Sequence, residues 1–102
     1  MKPQYSSDFV GNINYGAKVI DSIISLATLE IRGIESLQGK KVNIEKNGDI
    51  LNIDVFVKVS YTVACSEVAC KVQENIKRSV ESMTNYKTNV INVNVLSVSF
   101  DD

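Results

Sequence analysis

A long run of alternating residues in the middle of the chain restricts the fold more than any other feature. Apolar side chains occupy every second position of this run, at Leu51, Ile53, Val55, Val57, Val59 and Tyr61. Because successive side chains of a strand point to opposite faces, the run predicts a β-strand with one buried face. A shorter alternation at Val42 and Ile44 precedes it, and Asn47-Gly48 lies between the two. Asn-Gly supplies the two positive φ angles of a type I′ turn, so the sequence predicts a β-hairpin.

The residues that follow the hairpin have the period of an α-helix. Apolar side chains recur at steps of three or four, at Val68, Val72, Ile76, Val80 and Met83. These positions share one helical face, which we expect to pack on the sheet, with Ser66 as the N-cap. Val63 and Cys65, just before the helix, continue the inward phase of the strand. The opposite face carries two predicted i,i+4 charge pairs, Glu67 with Lys71 and Glu74 with Arg78.

An earlier segment, residues 15–29, also has a helical pattern, and Gly33 follows as its breaker. Its predicted core face consists of Val19, Ile20, Ile23, Ile24 and Ala27, and its predicted outer face of Lys18, Asp21, Ser25 and Thr28. Leu26 and Leu29 fall on the flank and widen the apolar arc beyond the ~100° of an ordinary surface helix. Two interpretations follow from this surplus: the helix is deeply buried, or its flank meets another subunit.

Three further segments complete the predicted fold. Residues 9–13 resemble a short first strand, and residues 34–37 a short extended piece. In the last strand, residues 90–100, the apolar phase changes at Val95-Leu96, which predicts a β-bulge if both halves face the core. The order is then β-α-(β)-β-β-α-β, an α+β two-layer sandwich with a mixed sheet of three to four strands and both helices on one face. We expect residues 1–8 to form a loose arm and residues 9–102 to form one domain.

Composition excludes several classes of function. The 102 residues are 44% hydrophobic and 23% charged, as in ordinary soluble domains. The net charge of −1 leaves no basic stripe for nucleic acid, and the glycines never supply the G-x-x-G of a KH-type RNA module. Histidine is absent, which removes Ser-His and Cys-His nucleophile pairs and the commonest zinc ligand. We therefore expect no metal and no cofactor, and the lack of a long apolar stretch predicts no direct membrane insertion.

A few residues remain as candidates for chemistry or contact. We expect Cys65 to act as a small buried hydrophobe and Cys70 to be exposed. Glu45 and Asp54 lie on the polar face of the hairpin, where cross-strand pairing with the nearby lysines 46 and 58 is the simplest interpretation. Phe56 shares that polar face, so it is either a second-layer contact or part of a partner surface.

The chain resembles a known family at several of these segments. The resemblance around the second helix rests on Tyr61-Thr62-Val63, Val68-Ala69, Lys71-Val72-Gln73-Glu74, Ile76-Lys77, Val80-Glu81 and Met83-Thr84. Elsewhere it rests on Leu29-Glu30-Ile31-Arg32-Gly33-Ile34 and on Val93-Asn94-Val95 with Val98 and Phe100. These motifs are similar to those of the bacterial alkaline shock proteins, the Gls general-stress and YloU-like group.

The resemblance implies a non-enzymatic bacterial protein of the cell-envelope stress response. Such a protein would be cytoplasmic, form homo-oligomers, and reach the membrane through a membrane-anchored companion, without binding nucleic acid. The interface residues we predict are Leu26, Leu29, Phe56 and Cys70. Two alternatives stay open from the residues themselves. One is a KH-like nucleic-acid module, and the other is a small ligand-binding protein or enzyme that uses Cys70 or the pair Glu45 and Asp54.

Overall fold

A computed structural model describes residues 16–100 of the chain. They form five elements: α1 (Ala17–Leu29), β1 (Ile34–Asn47), β2 (Ile50–Ser60), α2 (Cys65–Met83) and β3 (Lys87–Ser99). The three strands lie in the order β1-β2-β3, with β1 and β2 antiparallel and β2 and β3 parallel. The predicted α+β architecture with a mixed sheet is therefore confirmed. Residues 34–37 belong to the start of β1, and the predicted strand at residues 9–13 and the arm at residues 1–8 lie outside the described residues.

The core lies between one face of β2 and both helices. Five of the six alternating side chains predicted to be buried are almost wholly buried in β2: Leu51, Ile53, Val55, Val57 and Val59. The prediction is wrong for Tyr61, which lies beyond the end of β2 and is 48% exposed. The helices cover them with Ile20, Ile24 and Ala27 of α1 and with Val68, Val72, Ile76 and Val80 of α2. The other face of the sheet carries no helix among residues 16–100 and is called the open face below.

The hairpin is confirmed, but its predicted turn type is wrong. Asn47 is the last residue of β1 and pairs with Ile50, so the two loop residues are Gly48 and Asp49. Of these, Gly48 alone has a positive φ, +61°. A positive φ at only the first central residue is the pattern of a type II′ turn, which favours glycine at that position.

The two edge strands depart from regular pairing. In β3 the predicted bulge at residues 95–96 is confirmed, because Val95 pairs with Val57 whereas Ser97 pairs with Lys58, which leaves Leu96 without a partner in β2. In β1, residues 38–41 lie opposite a single residue of β2. Gly39 and Lys41 within that segment have φ angles of +61° and +65°, which is a rare conformation for lysine.

The buried face of α1 differs from the predicted one. Thr28, which we expected on the outer face, is fully buried, and Val19, which we expected in the core, is 49% exposed. The Thr28 hydroxyl donates a 2.8 Å hydrogen bond to the backbone carbonyl of Ile24. Because its polar atom is satisfied within the helix, the Thr28 side chain can be buried at little cost. Packing against the sheet thus selects a face rotated from the one that hydrophobicity predicts.

Both ends of α2 also differ from the prediction. The helix begins at Cys65 with Ala64 as its N-cap, so Ser66 lies in the first turn and is not the cap. Since β2 ends at Ser60, the alternation stops before Cys65, and the Cys65 side chain is exposed and not inward. At the other end Met83 is 60% exposed, and the next residue, Thr84, is buried instead. The predicted buried stripe therefore holds for its four valine and isoleucine positions only.

The predicted charge pairs on α2 are wrong. Within residues 16–100 the ion pair closer than 4 Å is Lys77 with Glu81, at 3.0 Å. An exposed ion pair at i,i+4 spacing gains little free energy over two separately hydrated charges. The spacing alone therefore does not predict which pairs form. Glu81 differs from the other acids of α2 because a second element, β3, also holds its carboxylate.

Candidate interaction surfaces

Three large apolar side chains of α1 are exposed to solvent. Leu26 is 64% exposed, Val19 is 49% exposed and Leu29 is 45% exposed. Val19 and Leu26 lie two helical turns apart on the same side, and Ile23 between them is half-buried. We call Val19, Leu26 and Leu29 the α1 face. It contains both α1 residues that the sequence nominated for an interface, together with Val19, which the sequence pattern places in the core.

Hydrogen bonds from α2 hold the C-terminal end of α1, which carries part of the α1 face. The side-chain amide of Asn75 in α2 donates to the backbone carbonyl of Ala27 at 2.7 Å and to the Glu30 carboxylate at 2.9 Å. These bonds satisfy one of the free carbonyls at the end of α1 and hold the last turn against α2. The α1 face is therefore attached to a fixed two-helix layer.

On the open face, Phe56 is half-buried and lies opposite the irregular segment of β1. That segment reaches β3 on this side, because the Ser97 hydroxyl donates a 2.8 Å hydrogen bond to the Gln38 side-chain oxygen. Leu96 also approaches, with its Cδ1 3.3 Å from the position that a Cβ on Gly39 would take. Because β2 lies between β1 and β3, these contacts pass over β2 near Phe56. This arrangement is consistent with the predicted second-layer contact of Phe56. Its role in an interface stays a prediction.

The acidic pair Glu45 and Asp54 lies on the open face in neighbouring register positions. Glu45 accepts a 3.4 Å hydrogen bond from Asn52, and Asp54 accepts one of 2.9 Å from Asn92. The predicted ion pairing with lysines 46 and 58 does not occur, and the Lys46 ammonium instead lies 5.1 Å from the ring centroid of Tyr86. Each of these two carboxylates is hydrogen-bonded to an asparagine amide, and an amide is not an acid–base partner for a carboxylate.

Both cysteines are free and exposed, which confirms the prediction for Cys70. Cys70 lies in a shallow surface hollow that is also lined by Glu67, Lys71 and Glu74. The Cys70 thiol is therefore accessible to labelling reagents from solvent. Among residues 16–100, no cluster of three or more acidic or cysteine side chains is placed to hold a metal ion.

Among residues 16–100, the carboxyl with a lowered pKa belongs to Glu81, between α2 and the start of β3. One oxygen accepts hydrogen bonds from the Thr88 backbone N–H at 2.8 Å and the Thr88 hydroxyl at 3.1 Å. The same oxygen lies 3.0 Å from the Lys77 ammonium. The Thr88 backbone bond, followed by the Lys77 bond, lowers the pKa of the Glu81 carboxyl from 4.5 to about 2. Glu81 therefore joins helix to strand as an anion.

The sequence did not predict the exposure of the last strand. The apolar pattern places Val95, Leu96 and Phe100 on the inside, but they are 38%, 53% and 76% exposed. Phe100 stacks on Tyr61 with 5.7 Å between ring centroids. The lack of any charged residue between Lys87 and Asp101 is the one signal of a contact surface here. In the sequence this run of apolar residues looks the same as a buried strand, so the signal is ambiguous.

Comparison with known proteins identifies the family. Residues 35–100, the region from β1 to just past β3, match the model of the alkaline shock protein 23 family, which is described as having a cell envelope-related function. The chain belongs to this alkaline shock protein family. The match confirms the resemblance that the sequence motifs indicated.

Two relatives of this alkaline shock family protein bear the description uncharacterised protein. YqhY of Bacillus subtilis is 26% identical, and the match covers 99% of this chain and 87% of the relative. Spy1535 of Streptococcus pyogenes is 23% identical, with 88% of this chain and 81% of the relative covered. The match to YqhY spans nearly the whole chain, so it includes α1 as well as the region that the family model covers.

Solved structures share the fold of this alkaline shock family protein. One variant of MamM CTD superposes with a TM-score of 0.67 at 12% identity, covering 80% of this chain and 98% of that one. A second variant gives a TM-score of 0.65 with 78% and 95% covered. At this identity the likeness concerns the fold alone.

No helix among residues 16–100 is long and apolar enough to cross a membrane.

Proposed function

We propose that this alkaline shock family protein is a non-enzymatic structural protein of the cell-envelope stress response. It self-associates in the cytoplasm and reaches the envelope by docking on a membrane-anchored partner protein. The α1 face carries this proposal, because it exposes three large aliphatic side chains along one helix. Single exposed apolar residues are normal, but a contiguous apolar patch on a folded domain is typical of a protein–protein contact.

The composition of the chain supports contact in preference to catalysis. Histidine is absent, and the acids on the open face are held by asparagine amides. The two exposed thiols have no catalytic partner among the described residues. The balanced charge, eleven basic against twelve acidic residues, does not favour the alternative of a nucleic-acid module. The family description, a cell envelope-related function, gives the cellular setting.

The experiment compares two substitutions at matched exposure. Leu26→Glu places a charge at the centre of the α1 face, and Met83→Glu does the same at a 60% exposed apolar residue at the far end of α2. Membrane and soluble fractions of a host bacterium that carries each full-length variant are compared by immunoblot. Sedimentation velocity of the purified proteins gives their self-association.

We expect the wild type and Met83→Glu to accompany the membrane fraction and Leu26→Glu to leave it. Desolvating a carboxylate against an apolar partner surface costs several kcal/mol, on the order of a thousandfold in affinity. A wild-type protein that stays monomeric at high concentration and is absent from the membrane fraction would show that the proposed function is wrong. Equal membrane association of all three proteins would exclude the α1 face as the docking surface.

A further inference from the structure

The outer edge of β3 is half closed and half open. β3 is an edge strand of the sheet formed by residues 16–100, so one side of its backbone has no neighbouring strand there. At its start, two side chains of α2 occupy that side. The Glu81 carboxylate accepts from the Thr88 N–H at 2.8 Å, and the Gln73 amide donates to the Ile91 carbonyl at 2.8 Å.

From Val93 onward no side chain of residues 16–100 hydrogen-bonds to the outer side of β3. Within this half, the bonds of Asn94 and Ser97 are made by their side chains, toward β2 and β1, and the backbone carbonyl of Ser99 bonds inward to Tyr61. The remaining outward N–H and C=O groups of residues 93–98 are a template for another strand. We call residues 93–98 the open edge of β3.

The open edge also lacks the usual protection against strand pairing. Natural edge strands commonly carry lysine, proline or inward-pointing charges that block a second strand. Residues 88–100 contain no charged residue and no proline. Instead the open edge contains Val95, which is 38% exposed, and Leu96, which is 53% exposed although its side chain leans toward Gly39 of β1. A bulge can also protect an edge, and the one at Leu96 is the single device of this kind in the open edge.

These properties favour a second copy of the same chain as the occupant. When two identical strands pair antiparallel about a two-fold axis, each residue meets a residue of the same segment, so any charge would face a like charge nearby. An uncharged segment of valine, leucine, serine and asparagine avoids this repulsion. The pairing would bury apolar side chains on both copies and satisfy the outward backbone groups of both at once.

We propose that two copies of this protein pair through the open edges of their β3 strands, antiparallel, into one continuous six-stranded sheet. This assignment rests on the self-association in the proposed function and gives it a surface distinct from the α1 face. The α1 face then stays free in the dimer to meet the membrane-anchored partner.

The test combines a charge substitution with amide hydrogen exchange on the full chain. Val95→Lys puts a charge on the open edge, and the matched control Val90→Lys changes a residue of the same strand, 44% exposed, in the half that α2 closes. Sedimentation velocity across a wide concentration range measures dimer formation. We expect Val95→Lys to weaken it by about tenfold or more and Val90→Lys to leave it unchanged. The far-ultraviolet circular dichroism of both variants is compared to confirm that they are folded.

Exchange of single amides identifies the surface itself. In the wild type, the outward amides of residues 93–98 should exchange about tenfold more slowly above the dimer dissociation constant than below it. Slow exchange at every concentration would mean that a segment of the same chain covers the edge, which overturns the proposal. Dimer formation that leaves these amides unprotected and is unaffected by Val95→Lys would overturn it too, while the proposed function would stand. A wild type that stays monomeric at every concentration would overturn the pairing, and if it also fails to reach the membrane fraction it would contradict the proposed function as well.

Discussion

Replacing Gly33 by alanine should be among the most damaging small substitutions in this protein. Gly33 lies between α1 and β1 with a φ of +103°, and its carbonyl accepts a 2.9 Å hydrogen bond from the Ser60 N–H at the end of β2. A Cβ built there would lie 3.0 Å from both Cγ atoms of Val63 and 3.0 Å from Cγ2 of Val68. These contacts are tighter than nearly all real Cβ contacts, so the methyl groups of Val63 and Val68 would have to move by a few tenths of an ångström to admit alanine.

Two costs contribute to the expected loss. An L-residue at positive φ costs about 1–2 kcal/mol, and inserting a methyl group into a packed site costs about 1–3 kcal/mol. Gly48→Ala is the comparison without close contacts, because Gly48 also has a positive φ, +61°, but its Cβ would meet nothing within 4 Å. Both substitutions restrict the unfolded chain in the same way, so that contribution cancels in the difference. We expect Gly33→Ala to lower the free energy of unfolding by about 1–3 kcal/mol more than Gly48→Ala does.

Urea denaturation of both variants, followed by circular dichroism, measures this difference. Adding Val63→Ala to Gly33→Ala removes two of the three close contacts, so the double variant should lose less than the sum of the single losses. Equal losses for Gly33→Ala and Gly48→Ala would show that the packing argument is wrong and that the backbone angle alone requires glycine.

Two further predictions concern α2. Ile76→Ala should lower the free energy of unfolding by about 2–5 kcal/mol, whereas Met83→Ala, two turns along the same predicted stripe, should change it by less than about 0.5 kcal/mol. Ile76 is fully buried and Met83 is 60% exposed, so equal urea midpoints would contradict the observed burial. For Glu81, the folded pKa of about 2 lies below the unfolded value of 4.5, so its contribution to stability is complete above pH 4.5 and is lost as the pH falls toward 2. Glu81→Gln should therefore reduce the loss of stability over that range, and an unchanged pH dependence in thermal unfolding would count against an anchoring role for this carboxylate.

The sequence determined the elements and the identity of the sheet's buried face. The alternating apolar residues from 51 to 59 share one face of a strand, so they are buried together or not at all. The change of phase at residues 95–96 predicted a bulge, and the pairing of Val57 with Val95 and Lys58 with Ser97 confirms it. The family motifs could be recognised for the same reason, because most of them are positions that fix this fold.

Tertiary structure decided which side of each helix and which edge of the sheet face solvent. Val19 and Met83 fit the helical periodicity of their stripes as well as Ile20 and Ile76 do, yet they are exposed because no neighbouring element among the described residues covers them. Thr28 is buried because its hydroxyl finds the carbonyl of Ile24. A residue's burial depends on what packs against it from elsewhere in the chain, and local spacing carries no information about that. For this reason the α1 face was only partly predicted from the sequence and the open edge of β3 was not predicted at all.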